Sequence, residues 1–352
     1  MKFKKIIALM LATLMMLSLV ACGGGESTSD DSGSSEAEAV EPSADSDTEE
    51  VSSDAEEDSS ATDGDIQIAY IVKALTDEFW EDMQAGAFAY AEEVGVEIDF
   101  QAPPKETDVE QQVNMVENAV VKGYDAIILS AADSKALIPA IITANEADIP
   151  VILVNDTIDM DELENSGGYV ETYVGIDQYE AASLAGKHAA ENIEDGKVAY
   201  LEGISGVQAL QDRLDGFKDQ VSDFEIVASQ TANNDRNEGY NVTQNILSAN
   251  PEVNVIWAVN AEMGQGAIQA IQQGGFENIA VYDFDAASDD IAAVQNGTLT
   301  GTVAQYPELQ AEGAIQACLD ILDGKELEAH TKTKAELITL DNVEEFIANK
   351  NN

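Results

Sequence analysis

The chain has 352 residues, with 68 Asp and Glu against 16 Lys and Arg, for a formal net charge of -52 at pH 7. That excess repels phosphate backbones and anionic lipid surfaces, which excludes nucleic-acid binding and polybasic attachment to membranes. Two cysteines (Cys22, Cys318) and two histidines (His188, His330) leave no disulfide scaffold, no cysteine-based metal cluster and few players for histidine-centred catalysis, while 45% hydrophobic residues over this length favour two cores.

Residues 1–21 read as an export signal: Lys2, Lys4 and Lys5 lead an apolar run from Ile6 to Val20, followed by Ala21-Cys22-Gly23. The run is too short to span a bilayer as a helix, which takes about 20 residues. It resembles the bacterial lipoprotein signal, in which the cysteine is lipidated and becomes the mature N-terminus, so Cys22 is the expected lipidation site. Residues 22–64 follow as an acidic, Ser-rich linker. From Gly23 to Gly64 there are 15 acids and 11 serines but no Lys, Arg, aromatic, Leu, Ile or Met. Nothing there offsets ordering entropy, so the expectation is a disordered, solvated leash.

From Asp65 onward short β-branched runs alternate with amphipathic stretches. Runs at Gln67 to Val72, Val96 to Gln101, Asp125 to Leu129 and Pro150 to Val154 predict strands. Between the first two, Phe79, Met83, Gly86, Ala87, Tyr90, Ala91 and Val94 recur at i, i+3/i+4 spacing and predict a helix over Glu78 to Val94. The stretch from Asp156 to Gly168 breaks this rhythm, which places a lobe crossing after it. A second series of strands is expected near Tyr173 to Ile176, Val198 to Glu202, Glu225 to Gln230, Val253 to Ala258, Ile279 to Phe284 and Thr300 to Ala304. A helix from Glu308 to Leu322 and a strand from Glu336 to Leu340 close the chain. The fold class is therefore α/β, with two doubly wound lobes of parallel sheet.

In open α/β sheets ligands sit beyond the carboxyl ends of the strands. Those positions hold Lys73, Asp77, Phe79 and Trp80 after the first strand and Asn155 and Asp156 after the fourth. In the second half they hold Asn234, Asn260, Asp285 and Gln305, with Arg213 in the helical segment after Gly203 to Gly206. Carboxylates accept from hydroxyls, while Lys, Arg and amide groups donate; an aromatic face covers the C–H face of a sugar ring. The set suits a neutral polyhydroxylated ligand. Each polar residue is equally suited to capping the helix that follows it, and Trp257, inside an apolar strand, reads as core.

The chain resembles the sugar-binding proteins of bacterial ABC importers, of the ribose and D-allose type, from Gln67 to Leu340. The resemblance rests on VKALTDEFWEDM at Val72 to Met83, IPVILVNDTIDMDEL at Ile149 to Leu163 and QDRLDGF at Gln211 to Phe217. It continues through NDRNEGYNVTQNIL at Asn234 to Leu247, NAEMGQGA at Asn260 to Ala267 and TVAQYP at Thr302 to Pro307. It implies the type I periplasmic binding protein fold, with lobes of residues 65–175 plus 306–333 and 176–305 plus 334–352. It also implies three hinge segments near Gly175 to Asp177, Gln305 to Tyr306 and Lys332 to Ala335. Function follows as capture of a monosaccharide by a lipid-anchored, monomeric, extracytoplasmic protein and delivery to a permease, with no cofactor and no metal. Lys73 matches a sugar-binding position of the allose and arabinose types, Phe79 and Trp80 the aromatic pair, and Arg213 the cleft arginine. Asp77 stands where relatives have Asn or Glu, Asn234 where they have an aromatic residue, Asn155 where they have an acid, and Ala261 where an Asp is usual. Lys73 with Asp156 favours the allose or arabinose style.

Three alternatives remain at this level. A receptor domain presenting a sugar or autoinducer to a membrane sensor would share the whole pattern. A glycoside-active enzyme would need a pair of carboxylates flanking the scissile bond. A sugar-responsive repressor would need a basic helix-turn-helix segment ahead of the first strand, where this chain has its signal and leash.

Overall fold

The computed structural model describes residues 66–350. The signal, Cys22 and the linker to Gly64 lie outside the described residues. The β-branched runs of the sequence become the strands of two sheets. In order the chain forms β1 (Gln67–Ile71), α1 (Glu78–Val94), β2 (Glu97–Gln101), α2 (Val109–Lys122), β3 (Ala126–Leu129), α3 (Ile138–Glu146), β4 (Val151–Val154), α4 (Met160–Asn165) and β5 (Thr172–Gly175). It continues through α5 (Gln178–Asn192), β6 (Lys197–Glu202), α6 (Gln208–Gln220), β7 (Glu225–Thr231), α7 (Arg236–Ala249), β8 (Val255–Ala258), α8 (Ala261–Gly274), β9 (Ala280–Asp285) and α9 (Ser288–Asn296). The last elements are β10 (Gly301–Gln305), α10 (Pro307–Leu322), β11 (His330–Lys332), β12 (Ala335–Thr339) and α11 (Val343–Lys350).

Two six-stranded sheets result, with orders β11-β5-β4-β3-β1-β2 and β12-β10-β9-β8-β6-β7. The central strands are buried on both faces, as expected where helices cover both sides of a parallel sheet. In the first lobe Ile68, Tyr70 and Val72 pack with Met83 and Ala87 of α1 and Ala314 and Ile315 of α10. The opposite face carries Ile71, Ile127 and Leu129 against Val116 of α2 and Ile141 of α3. In the second lobe Trp257 is fully buried and stacks on Phe217 at 4.6 Å between ring centroids, so it is core.

The chain passes between sheets three times: after β5, after β10 and between β11 and β12. The structure corrects the sequence reading in two places. The stretch from Asp156 to Gly168 contains the short helix α4, and β5 still belongs to the first sheet, pairing with β4 through Leu153 and Tyr173, so the crossing falls beyond Gly175. The second sheet is also not wholly parallel, because β12 runs antiparallel to β10. The reason is geometric: two residues separate β11 from β12, and Ala335 enters opposite Gln305, at the carboxyl end of β10, leaving the strand only the reverse direction.

Local chemistry sets where the helices begin. Asp77, Asp159, Asp177, Asp235 and Asn260 are N-caps whose side chains accept from backbone N–H groups one turn on. Helix α1 ends at Gly95, which adopts φ 75°, a left-handed conformation that glycine enters without strain. Helices α5 and α6 cross closely enough that a Cβ on Gly186 would stand 2.6 Å from the Phe217 carbonyl oxygen. That crossing holds Arg213 of α6 against Gln178 at the start of α5.

Candidate functional site

Beyond the strand ends the two lobes face each other, and each presents a buried cation. In the first lobe Lys73 Nζ lies 3.1 Å from Asp156 Oδ2 and 3.8 Å from a Glu106 carboxylate oxygen, and 5.4 Å from the centre of the Trp80 ring. Ser130 Oγ donates to the same Asp156 oxygen at 2.7 Å. Burial alone would pull the Lys73 pKa down; the Asp156 and Glu106 carboxylates outweigh it and hold the ammonium above its ordinary value. In the second lobe Arg213 Nε donates to Gln178 Oε1 at 2.8 Å and its Nη1 to the Val259 carbonyl at 3.0 Å. Its Nη1 also lies 3.4 Å from Asp285 Oδ1, and the guanidinium sits over the Phe284 ring at 3.9 Å.

A chain of amides joins the two sides at the hinge. Gln305 Nε2 donates to Asp285 Oδ1 at 2.8 Å, and its Oε1 accepts from Asn155 Nδ2 at 2.9 Å and from Gln310 Nε2 at 3.0 Å. Asn155 adopts φ 59°, and its carbonyl accepts from Tyr173 Oη at 2.8 Å and Gln178 Nε2 at 3.0 Å. Asn155 is thus engaged in the hinge network, as a joint between the lobes.

The remaining predicted residues divide. Trp80 is buried, and its Nε1 donates to Glu106 Oε1 at 2.8 Å. Phe79 meets it edge-on at 4.9 Å and turns toward a hinge-side cavity of about 490 Å³ shared with Tyr306, Pro307 and Phe346. Asn234 Nδ2 donates across the lobes to Glu106 Oε2 at 2.7 Å. Asn260 caps α8, accepting from Met263 N at 3.1 Å, while its Nδ2 reaches the Asn234 carbonyl at 3.4 Å. Asp77 caps α1 through Oδ1 and lines a cavity of about 640 Å³ between the loops ahead of α2 and α7. Burial first, then the negative charges of Glu106 and Asp285, push the Asp77 carboxyl up to about 8.

The lobes are drawn together by direct bonds besides Glu106 to Asn234. Gln208 N donates to Ser134 Oγ at 2.9 Å, Ser134 N to the Gly206 carbonyl at 3.0 Å, and Ser288 N to Glu78 Oε2 at 3.0 Å. This is a closed arrangement of the cleft.

Sequence reasoning does not single out Glu106, Ser130, Gln178 or Gln310. Two of them are within its reach: Glu106 follows β2 and Ser130 follows β3, so the same strand-end rule applied to every strand finds both. Gln178 and Gln310 sit inside helices and carry no such signal. Both histidines lie away from the site, His188 against Tyr282 and His330 against the Gly175 carbonyl, and Cys318 is buried in the first-lobe core. Among the described residues no group of three or more His, Cys, Asp or Glu side chains is arranged to hold a metal ion. No described helix is long and apolar enough to cross a membrane.

Two doubly wound lobes with a polar cleft at their strand ends, linked by three crossings, define a bilobal α/β binding protein. Residues 68–326 match the periplasmic binding protein domain, and the chain belongs to that family of extracytoplasmic binding proteins. The ribose import binding protein of Escherichia coli K12 is 32% identical over 277 residues, spanning 77% of this chain and 90% of the relative. The D-allose-binding periplasmic protein of the same organism is 31% identical over 248 residues, 68% of this chain and 79% of the relative. Among solved structures, a periplasmic solute-binding protein of an ABC transporter from Actinobacillus succinogenes 130z with bound D-allose superposes with a TM-score of 0.76 at 34% identity, over 79% of this chain and 99% of that one. The family and these relatives are binding proteins, and the chain is a binding protein, not an enzyme.

Proposed function

We propose that the protein captures a monosaccharide of the ribose, allose or arabinose kind between its lobes and delivers it to the permease of an ABC importer. The observation that carries this reading is the pair of buried ion pairs, Lys73 with Asp156 and Arg213 with Asp285, presented by opposite lobes, with the buried Trp80 beside Lys73. Ligand hydroxyls accept from Lys73, Arg213, Asn234, Asn260 and Gln305 and donate to Asp77, Asp156, Asp285 and Glu106, with Phe79 and Trp80 against the ring and Asn155 holding the hinge. Bonds to charged groups contribute about 1.5 to 3 kcal/mol each, and a ligand touching both lobes favours the closed state. The relatives named for ribose and D-allose, and the neighbour holding D-allose, support the sugar class.

In this reading residues 65–175 with 306–333 form one lobe and 176–305 with 334–352 the other, moving about the three crossings. The working protein is a monomer tethered outside the membrane by lipid on Cys22, with the acidic linker holding it off the envelope. Replacing Cys22 with Ala is expected to release the protein into the soluble fraction; a variant that stays with the membrane argues against the anchor.

A thermal-shift screen across pentoses, hexoses and polyols tests the central claim. A true ligand at 100 times its dissociation constant adds about 2.7 kcal/mol, or roughly 4 to 5 °C for a protein of this size. A panel with no shift removes the sugar reading.

A further inference from the structure

We infer that Asp290, buried behind the cleft in the second lobe, is a positioning residue for the ligand contact Asp285: it clamps the strained turn that joins β9 to α9 and so sets the affinity of the cleft. This rests on the sugar-capture reading and adds a residue to it that the ligand does not reach.

The turn is conformationally costly. Asp285 adopts φ 97° and Ala286 φ 52°, two consecutive left-handed residues, neither of them glycine. Of the eight non-glycine residues with positive φ among the described residues, seven are Asn or Asp, which tolerate that region, and Ala286 is the eighth. Such backbone persists only where its surroundings over-determine it. The conformation aims Asp285 at its partners. Its Oδ1 accepts from Gln305 Nε2 at 2.8 Å and stands 3.4 Å from Arg213 Nη1, and its Oδ2 lies 3.4 Å from Ala261 N. A relaxed turn would carry that carboxylate away from them.

What holds the turn is polar and buried. Ala286 N donates to Thr302 Oγ1 at 3.1 Å, and Ala287 N to Asp290 Oδ2 at 2.9 Å. Ala287 is the N-cap of α9 and has no side-chain acceptor, so Asp290, three residues on, answers its N–H from inside the lobe. The other oxygen, Asp290 Oδ1, accepts from Gln265 Nε2 of α8 at 2.7 Å. Asp283 of β9 lies against Asp290 and Thr302, and both aspartates are fully buried. No donor among the described residues bonds to either Asp283 oxygen; burial first, then the charge of Asp290, keeps its carboxyl protonated and a donor toward Asp290. Gly264 leaves room for it, since a Cβ there would stand 2.2 Å from Asp283 Oδ2.

Capping alone does not call for this arrangement. An acceptor side chain at position 287 would cap α9 without burying two carboxyl groups, whose removal from water is costly. Gln265 of α8, Thr302 of β10 and Asp290 of α9 converge instead on the backbone that carries Asp285. The same turn leads into Ser288, whose N and Oγ donate to Glu78 of the other lobe at 3.0 and 2.6 Å, so its shape also enters the closed contact between the lobes.

Asp290→Ala removes the clamp, whereas Asp290→Asn keeps it, with the amide oxygen accepting from Ala287 and the NH2 group donating to a turned Gln265. The test is titration calorimetry of the purified chain with D-ribose, D-allose and D-arabinose, together with hydrogen exchange at the Ala286 amide of the ligand-free chain. In Asp290→Ala, melting cooperatively, a sugar that binds the parent is expected to bind about tenfold more weakly. The Ala286 amide, which bonds to Thr302 and not to Asp290, is expected to exchange about tenfold faster. Asp290→Asn is expected to stay within about twofold of the parental affinity. Ala286→Gly, added to Asp290→Ala, is expected to recover most of the affinity, because glycine enters left-handed backbone without strain. Gln265→Leu keeps the volume and removes the donor behind Asp290; it is expected to give both changes at about threefold, and it decides the matter if Asp290→Ala does not fold. A lower melting temperature with parental affinity and exchange makes Asp290 a helix cap only and overturns the inference. An unchanged Gln265→Leu chain, or a glycine that recovers nothing, overturns it too, and sugar capture then stands. Failure of all three sugars to bind the parent overturns the inference together with the ribose, allose and arabinose reading.

Discussion

The two lobes share one winding, and comparing them shows how the cleft is made. Leaving aside the last strand of each sheet, both orders read fifth, fourth, third, first, second. In both, the segment after the first strand supplies a buried cation and the end of the fourth supplies its aspartate: Lys73 and Asp156 in one lobe, Arg213 and Asp285 in the other. The order reverses beside the first strand, and that switch point is where α/β sheets place ligands. The cations differ in how they are held. Lys73 is a point charge on two carboxylates, close to Trp80, whereas Arg213 is a fork fixed by Gln178, Val259 and Asp285 and laid on Phe284. Topology sets the address of each charge pair; side-chain geometry sets how rigidly each is presented.

The comparison is broken most severely by Arg213→Ala. It leaves Gln178 Oε1 and the Val259 carbonyl without their Arg213 donor and Asp285 without its cation, although Gln305 still donates to Asp285, and loss of one partner of a buried pair costs about 3 to 5 kcal/mol. Sugar binding is expected to vanish while the chain remains folded at low temperature; unchanged affinity by calorimetry would contradict the assigned cleft. Lys73→Ala is expected to cost toward the lower end of the same range, because Asp156 keeps its Ser130 donor, whereas loss of Arg213 also strips Gln178 and the Val259 carbonyl of theirs. Denaturant melts of the two variants compare the lobes directly, and a larger loss from Lys73→Ala would reverse the ranking.

A pH effect distinguishes the lobes next. Asp283 is fully buried in the second lobe, where burial first and then the charge of Asp290 raise its pKa well above the ordinary carboxylate range; Asp290 itself is raised to about 7, mainly by burial. Groups with raised carboxyl pKa values hold protons more tightly folded than unfolded. Their stabilising contribution is therefore present below about pH 4 and is lost as pH rises toward the folded values. Asp283→Asn removes one such group, so stability of the variant relative to the parent is expected to rise with pH by up to about 1.4 kcal/mol per unit between about pH 4 and 7. Parallel melting curves for the two proteins across that range would exclude the effect.

The smallest change is expected at the crossing between β11 and β12. Lys332 pairs with Glu180 and Asp177 at the surface, and exposed pairs of this kind contribute about 0 to 1 kcal/mol. Lys332→Ala should leave the melting temperature nearly unchanged; a drop of several degrees would mean that the crossing carries more of the stability than either lobe face implies.

Much of this architecture is legible in the amino-acid order. Helix α1 follows from Asp77 as a cap, 3.6-residue periodicity and a terminal glycine, all signals contained within about twenty residues. The strands follow from β-branched runs, and placing residues at strand ends finds Lys73, Asp156 and Asp285 because an α/β sheet sends its loops to one edge, while Arg213, inside α6, is found through the family resemblance. Less legible is anything set by a neighbour distant in the chain. Asn155 reads as a ligand contact, yet Gln305 and Gln310, about 150 positions away, engage its amide. The direction of β12 depends on where the crossing enters the sheet, which no local pattern encodes.

By itself the sequence determined the class of fold, two separately cored lobes and the residue types at the strand ends, because propensity and hydrophobic period act over short spans. Tertiary structure decided which of those residues meet: Glu106 reaching Asn234 across the cleft, Asn155 turned into the hinge, and Asp77 set beside the carboxylates of Glu106 and Asp285. Pairing, burial and charge balance are properties of contact between distant segments, so they exist only once the chain has folded.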